Sequence, residues 1–162
     1  KEEFGARALG NRSIIANPSD YGVVKKINEM IKSRDFWMPF ALTILEEKHK
    51  AFLDNSKNLS CEYMTMGFDV KKSKVKKIIA GCHPYDKTVR PQILKKIRNE
   101  SYYNLIKSFY KLTGIPAVLN TSLNLHGNPI ASDIHDVYKV FLNSELKYLY
   151  INNNYLIKKN IK

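Results

Sequence analysis

Residues 113–130, TGIPAVLNTSLNLHGNPI, join an apolar run to a loop that is dense in asparagine, serine and threonine. The run at residues 115–120 (IPAVLN) is short and apolar, which predicts a buried strand. Helically spaced apolar residues precede it, and Gly114 is suited to end that helix. A strand that ends directly in polar side chains is typical of ligand sites in open α/β sheets.

The rest of the chain mixes helical and strand patterns. A helix is predicted to begin at Ser19 or Asp20 and to end before Pro39, and another to begin at Ser132 or Asp133. The remaining predictions are strands at residues 41–45, 62–70 and 88–94, a helical turn at 46–53, and a hairpin at 147–159 that turns at Asn152–Asn154. We therefore predict an α/β fold with a twisted, mixed sheet and flanking helices, formed by residues 1–162 as one domain.

The charge of the chain points toward anionic ligands. The 162 residues carry a formal net charge of +12 and use lysine almost everywhere. Arginine, whose planar fork grips carboxylate or phosphate bidentately, stands only at Arg7, Arg12, Arg34, Arg90 and Arg98. Ion pairing within the protein is the alternative explanation for any one of them.

Composition also bears on the compartment. No apolar run is long enough to cross a membrane. Two cysteines in a chain of this size are more typical of reduced thiols inside a cell than of a disulfide, so we expect a cytoplasmic location. The start at Lys-Glu-Glu suggests a piece of a longer protein.

Two pairs of polar residues are candidates for chemistry. Asn120 and Ser122 are two positions apart, so in a strand their side chains point to the same face and can bond phosphate or ribose oxygens. A turn network that satisfies the loop backbone is the alternative. Lys32 and Arg34 lie where the first helix ends and can neutralise phosphate oxygens, or can simply favour the helix dipole.

Arg90, within the third predicted strand, would be costly to bury without an anion. Several other kinds of site are not indicated. The chain has no G-x-x-x-x-G-K-[ST] loop, and its histidines do not fall at metal-binding spacings, so no protein metal site is expected. Asp86 is equally suited to magnesium and to a turn. No Ser-His-Asp or Cys-His arrangement stands out, which favours a reaction that needs positioning and charge compensation only.

Four stretches together resemble the C-terminal part of the O-carbamoyltransferase family of nodulation-factor and antibiotic pathways. They are EFGARALGNRSIIANP (3–18), KSRDFWMPFA (32–41), DKTVRPQ (86–92) and residues 113–130. The resemblance implies a YrdC-like fold that forms carbamoyl adenylate from carbamoyl phosphate and ATP, with Mg²⁺. It further implies a separate N-terminal transferase domain, joined through residues 1–18, that passes the carbamoyl group to an acceptor hydroxyl.

The resemblance also implies roles for individual residues. Lys32, Arg34 and Arg90 match the positions expected to meet carbamoyl or phosphate oxygens. Asn120 and Ser122 match the nucleotide-binding pair, and Arg12 and Arg7 match the arginines of the R-A-L-G-x-R-S element. Two departures bear on this site: Met38 replaces a frequent arginine, and Lys87 replaces the glycine of a D-G-T element.

Two other functions compete with this interpretation. A basic module that binds RNA is suggested by the net charge and by Tyr102, Tyr103 and Tyr110 near lysines, although their helical spacing is simpler to explain as core. Nucleic acid is therefore not the favoured partner. A catalytically degenerate lid domain is the other alternative, and Met38 is its main support.

Overall fold

The computed structural model describes residues 3, 7–32, 38–152 and 154–160. Its centre is a four-stranded sheet of β1 (Ser13–Ala16), β2 (Ala41–Leu45), β3 (Pro91–Leu94) and β4 (Ala117–Ser122), in the order β1-β4-β2-β3. β4 pairs antiparallel with β1 and β2, whereas β2 and β3 are parallel. The sheet is thus mixed and helices flank it, which confirms the predicted α/β class.

β2 and β4 are the central strands, and both faces of the sheet are covered. All five residues of β2 are buried, as are residues 117–121 of β4. Successive strand residues point to opposite faces, so each strand contributes to two cores. One face joins the larger apolar cluster through Leu42, Ile44 and Leu119, and the other joins a smaller cluster through Leu45 and Val118.

The longest helix of the described residues, α3 (Glu100–Thr113), covers the face with the smaller cluster. Asn99 Oδ1 accepts a hydrogen bond from Tyr102 N at 3.1 Å and caps its first turn, and Gly114 ends it with φ = 69° as predicted. Tyr102, Tyr103 and Ile106 are the residues it buries.

The opposite face is covered by elements from both halves of the chain. Helix α1 (Gly22–Ile27) continues as a π-helical turn, Asn28–Lys32, and buries Ile27 and Ile31 in the larger cluster. Helix α4 (Ile134–Leu142) contributes Val140, and Asp133 caps it by accepting from Asp136 N at 2.9 Å. The cap predicted at Asp133 is confirmed.

Shorter elements complete the fold. A 3₁₀ turn, Glu46–Lys48, leads into the single-turn helix α2 (His49–Phe52), in agreement with the predicted helical turn. Two further 3₁₀ turns span Lys72–Lys77 and Ile79–Gly81. Strands β5 (Tyr148–Ile151) and β6 (Tyr155–Lys158) form the predicted hairpin as a separate sheet.

The strand predicted at residues 62–70 is wrong. Met64 has φ = 58°, a left-handed conformation that interrupts strand geometry, and only single bridges form, from Phe68 to Val89 and from Val70 to Leu53. The strand predicted at 88–94 is shorter than expected and begins at Pro91, and it lies at a sheet edge, where proline is tolerated.

Cys61 and Cys82 are free and buried, and burial raises the pKa of the Cys82 thiol to about 11. Within the described ranges, none of the helices combines the length and the apolar character needed to cross a bilayer.

Gly81 lies against the Leu42 side chain, which gives a test of the packing under the sheet. A Cβ at Gly81 would stand 2.4 Å from Leu42 Cγ, whereas one at Gly67 would meet nothing closer than 4.0 Å. We expect Gly81→Ala to lower the free energy of unfolding by about 1–3 kcal/mol through overpacking, measured by urea denaturation. Gly67→Ala is the matched control, and an equal loss in both variants would contradict this packing.

Glu62 ties the loop before β3 to the segment after it. Glu62 Oε1 lies 2.7 Å from Lys95 Nζ, and Oε2 lies 2.5 Å from Arg98 Nε. The hydrogen bond from Lys95 and, after it, the contacts with Arg98 hold the pKa of Glu62 below its usual value against the opposing effect of burial. A depressed carboxyl pKa stabilises the fold above the pKa of the unfolded chain and ceases to do so as the pH falls through the folded value.

We therefore expect Glu62→Gln to lower the free energy of unfolding by about 1 kcal/mol at pH 7, with the difference from the parent chain shrinking toward pH 3. Urea denaturation at a series of pH values measures this. Glu29→Gln is the control, because the Glu29–Lys25 pair is exposed and should contribute little. A deficit that stays constant from pH 7 to pH 3 would show that the carboxylate charge is not responsible.

Candidate anion-binding site

The sheet register brings several predicted site residues to one end of the sheet. β4 finishes at Ser122, and its Asn120 pairs with Ala41 at the start of β2. Leu42 pairs with Pro91, so Arg90 lies level with Ala41, and β2 separates Arg90 from Asn120. Strands are spaced by about 4.8 Å, which puts the Cα atoms of Arg90 and Asn120 roughly 10 Å apart. Ser13, directly after Arg12, pairs with Ser122.

Lys32 and Ser122 are in direct contact. The Lys32 side chain lies at the end of the π-helical turn and is only 3% exposed. Its Nζ donates to Ser122 O at 2.7 Å, Ser122 Oγ at 3.1 Å, Asn124 O at 3.1 Å and Asn124 Oδ1 at 2.5 Å. A buried ammonium is costly unless oxygen atoms surround it, and these four oxygens are uncharged. The arrangement fixes a positive charge beside the end of β4.

Arg90 is half-buried and stands close to a second guanidinium. Burial lowers the pKa of Arg90, and the neighbouring positive charge of Arg7 lowers it further. Arginine nevertheless stays protonated in proteins. Arg90 makes no ion pair or hydrogen bond with any residue of the described ranges. Two guanidinium groups whose charges repel, one of them partly desolvated, would bind an anion favourably.

Asn120 is buried deeper than Ser122 and has different partners. Its Nδ2 donates to Ala8 O and to Thr43 Oγ1, both at 3.0 Å. Its Oδ1 has no hydrogen-bond partner within the described part of the chain. The two side chains share a sheet face, as strand alternation requires, but Ser122 belongs to the Lys32 cluster and Asn120 to a buried network.

Of the other two candidate arginines, the structure describes Arg12 but not Arg34. Arg12 Nη1 donates to Ala131 O at 2.7 Å, which ties the segment before β1 to the loop before α4. Arg34 lies outside the residues that the structure describes. The predicted nucleotide contacts of Arg12 therefore stay a prediction, as does the role of Arg34.

The segment between Arg7 and Arg12 is held through its backbone. The Glu3 carboxylate accepts from the N–H groups of Leu9 at 2.7 Å, Asn11 at 2.9 Å and Arg12 at 3.1 Å. Gly10 has φ = 115°, and a Cβ there would lie 2.1 Å from the Tyr102 ring. Only glycine suits such a close approach in this conformation. No local sequence pattern indicated this role of Glu3.

The structure also shows the surroundings of the residues that suggested a magnesium site, a nucleic-acid surface or a degenerate site. Asp86 Oδ1 accepts from Thr88 N and Oγ1, so it forms a turn. Tyr102 and Tyr103 are buried and cannot stack on bases. Met38 is exposed just before β2. Among the described residues, no group of three or more His, Cys, Asp or Glu is arranged to hold a metal ion.

A groove of about 720 Å³ lies at another place, along the free edge of β1. Arg12, Ile15 and Asp133 line it on one side, and Tyr148 and Tyr150 of the hairpin line it on the other. Lys32, Arg90, Asn120 and Ser122 are not part of its wall. The groove and the basic end of the sheet are therefore different surfaces.

Comparison with known proteins finds relatives over nearly the whole chain. It is 46% identical to the uncharacterized protein MJ1051 of Methanocaldococcus jannaschii, with 98% of the chain and 30% of the relative covered. It is 37% identical to the nodulation protein NolNO of Sinorhizobium fredii (98% and 23% covered) and 34% identical to the nodulation protein NolO of Bradyrhizobium diazoefficiens (98% and 29% covered). The chain thus spans less than a third of the length of each of these relatives.

A family model described as "Carbamoyltransferase C-terminus" matches residues 1–159, close to the full 162. The matched range includes all four stretches that resemble this family in the sequence. The two nodulation proteins also match nearly the whole chain, which corresponds to less than a third of their own length. The chain belongs to the carbamoyltransferase C-terminus family.

Proposed function

We propose that this chain is the activating domain of an O-carbamoyltransferase, which forms carbamoyl adenylate from carbamoyl phosphate and ATP. The observation that carries the proposal is the pair of Arg90 and Arg7. Arg90 is half-buried and has no carboxylate partner among the described residues. It lies at the same end of the sheet as Lys32 and Ser122. Family membership supplies the reaction class.

The reaction balances in two steps. Water first cleaves carbamoyl phosphate into carbamate and inorganic phosphate. A carbamate oxygen then attacks the α-phosphorus of ATP, the bond between that phosphorus and the bridging oxygen breaks, and pyrophosphate leaves. Both substrates and the transition state of the second step are rich in negative charge, so the protein must supply positive charge and orientation rather than a nucleophile.

The residues divide naturally between the two substrates. Arg90 and Arg7 would grip carbamoyl phosphate and then carbamate through bidentate hydrogen bonds. Lys32, with Ser122, would stand next to the phosphates of ATP at the end of β4, and Arg34 would be a second cation for the same phosphates. The nucleotide contacts of Arg12 and Asn120 stay predictions from the family resemblance, because Arg12 lines the separate groove beside β1 and Asn120 is buried in the sheet. Cations, amides and a hydroxyl dominate this donor set, so Mg²⁺ would bind mainly through the phosphates of ATP.

The remainder of the reaction belongs to a partner domain in this proposal. The relatives are more than three times as long as their match to this chain, which supports an N-terminal transferase domain that transfers the carbamoyl group to an acceptor hydroxyl. Residues 1–18 would join the two domains, and the fold would be YrdC-like. The free, buried thiols of Cys61 and Cys82 favour a cytoplasmic location.

Arg90 gives the main test. We expect Arg90→Gln to lower carbamoyl-phosphate-dependent exchange of pyrophosphate into ATP by about 100-fold or more, because a preorganised charge contact is lost. Exchange of labelled pyrophosphate measures this, and thermal unfolding checks the fold. Arg98→Gln removes the same charge from an exposed arginine and should leave the exchange unchanged. Equal exchange in Arg90→Gln and the parent chain would refute the proposed site.

Ser122 tests the nucleotide half of the site. In Ser122→Ala the Lys32 ammonium keeps its contacts with Ser122 O, Asn124 O and Asn124 Oδ1, so the fold should survive. We expect the KM for ATP to rise by about tenfold through loss of one hydroxyl contact, with a smaller change in the KM for carbamoyl phosphate. Ser144→Ala is the control, since the hydroxyl of Ser144 lies far from the end of β4 in the chain and is bonded to Phe141 O and Leu146 N. Equal changes in both KM values would argue against a nucleotide role for Ser122.

A further inference from the structure

A chain of buried side-chain hydrogen bonds crosses three strands of the sheet. Asn120 on β4 donates to Thr43 Oγ1 on β2 at 3.0 Å, and Thr43 Oγ1 donates to Gln92 Oε1 on β3 at 2.8 Å. All three residues are at most 4% exposed. They lie on the face covered by α3, next to Tyr102.

Both ends of this network reach the same loop, residues 8–12, which follows Arg7 and leads into β1. Asn120 Nδ2 donates to Ala8 O at 3.0 Å, and Gln92 Nε2 donates to Leu9 O at 3.1 Å. Because both ends donate to carbonyl oxygens, the orientation of each amide is fixed, and so is the direction of the Thr43 hydroxyl. The network therefore has a single arrangement that satisfies every one of these bonds.

The loop is also held from its other side. Its carbonyl groups at Ala8 and Leu9 are bound by the network, and three of its N–H groups are bound by the Glu3 carboxylate. Gly10 rests against the Tyr102 ring. The backbone just after Arg7 thus has bonding partners for both its donors and its acceptors.

This restraint matters for Arg7 because it lies two residues before Leu9, whose carbonyl is bonded to Gln92, and Gln92 lies two residues after Arg90. Two guanidinium groups repel each other when no anion is between them, and the repulsion is stronger around a partly desolvated group. The Arg7 side chain is exposed, so only its backbone can keep it near Arg90. Without a fixed backbone, repulsion would move Arg7 away from Arg90. A loop bound to the sheet would keep the two groups together before the anion arrives and would lower the ordering cost of binding.

We infer that Thr43 and Gln92 are positioning residues that act through the Ala8–Leu9 backbone to hold Arg7 beside Arg90. In this role they touch no substrate. The inference rests on the proposed function only in naming carbamoyl phosphate as the anion. The holding of the loop is a property of the chain itself and can be measured without any ligand.

Thr43→Val tests the inference, because valine has a similar shape but neither accepts from Asn120 nor donates to Gln92. In the unliganded chain we expect amide hydrogen exchange at Leu9, Asn11 and Arg12 to become about tenfold faster. The Kd for carbamoyl phosphate, measured by calorimetry, should rise by about tenfold, while the Kd for ATP changes less. Thr43→Ser retains the hydroxyl and should restore both values.

Asn55→Ala is the matched control for general loosening. Asn55 is also a buried, hydrogen-bonded amide, but its partners are His49 and Leu59. The inference would be overturned if amide exchange at Leu9, Asn11 and Arg12 were as slow in Thr43→Val as in the parent chain. It would also be overturned if exchange at these residues were as fast in Asn55→Ala as in Thr43→Val. If the loop loosens only in Thr43→Val but the parent chain binds no carbamoyl phosphate, the proposed function fails while the holding of the loop stands.

Discussion

The burial of one ammonium group constrains much of this structure. Lys32 is almost fully covered, and the oxygens it requires come from Ser122 and Asn124, where β4 ends. This contact joins the extension of α1 to the central strand of the sheet. His126 Nδ1 lies 2.7 Å from Lys32 O and strengthens the same junction. The polar loop after β4 is therefore organised around a positive charge, and this explains why so many asparagine and serine side chains occur there.

The second constraint is repulsion between like charges. Arg7 and Arg90 come from distant parts of the chain, and the bond from Gln92 to Leu9 brings their backbones to the same end of the sheet. The charge of Arg7 acts unfavourably on that of Arg90. A protein that brings such groups together must hold them by other means, and here buried amides and a carboxylate hold the backbone. Under the proposed function, the anion that such an arrangement favours is carbamoyl phosphate or the carbamate formed from it.

The sequence predicted the elements that depend on local pattern and missed those that depend on distant contacts. The boundaries of β2, the Gly114 cap and the hairpin followed from local residues. The strand expected at 62–70 failed because alternation of Met64, Met66 and Phe68 does not reveal the left-handed turn at Met64. β1 was not predicted, since it is short and is paired only with the distant β4.

The same distinction applies to the site. Lys32, Arg90 and Ser122 were singled out from their residue types and from family resemblance, and the register brings them to one sheet end. Thr43, Gln92 and Glu3 carried no visible signal, because their importance lies in bonds across the sheet and across a loop. Asn120 and Ser122 share a sheet face, as predicted, but the Asn120 side chain bonds within that buried network.

The central claim is that these cations share one ligand. A crystal structure of the chain soaked with ATP and carbamoyl phosphate tests it most directly. We predict continuous density for one adenylate at the end of β4, with its carbamoyl group at Arg90 and Arg7 and its phosphate near Lys32 and Ser122. Ligand bound instead in the groove between β1 and the hairpin, with Arg90 and Lys32 uncontacted, would contradict the account.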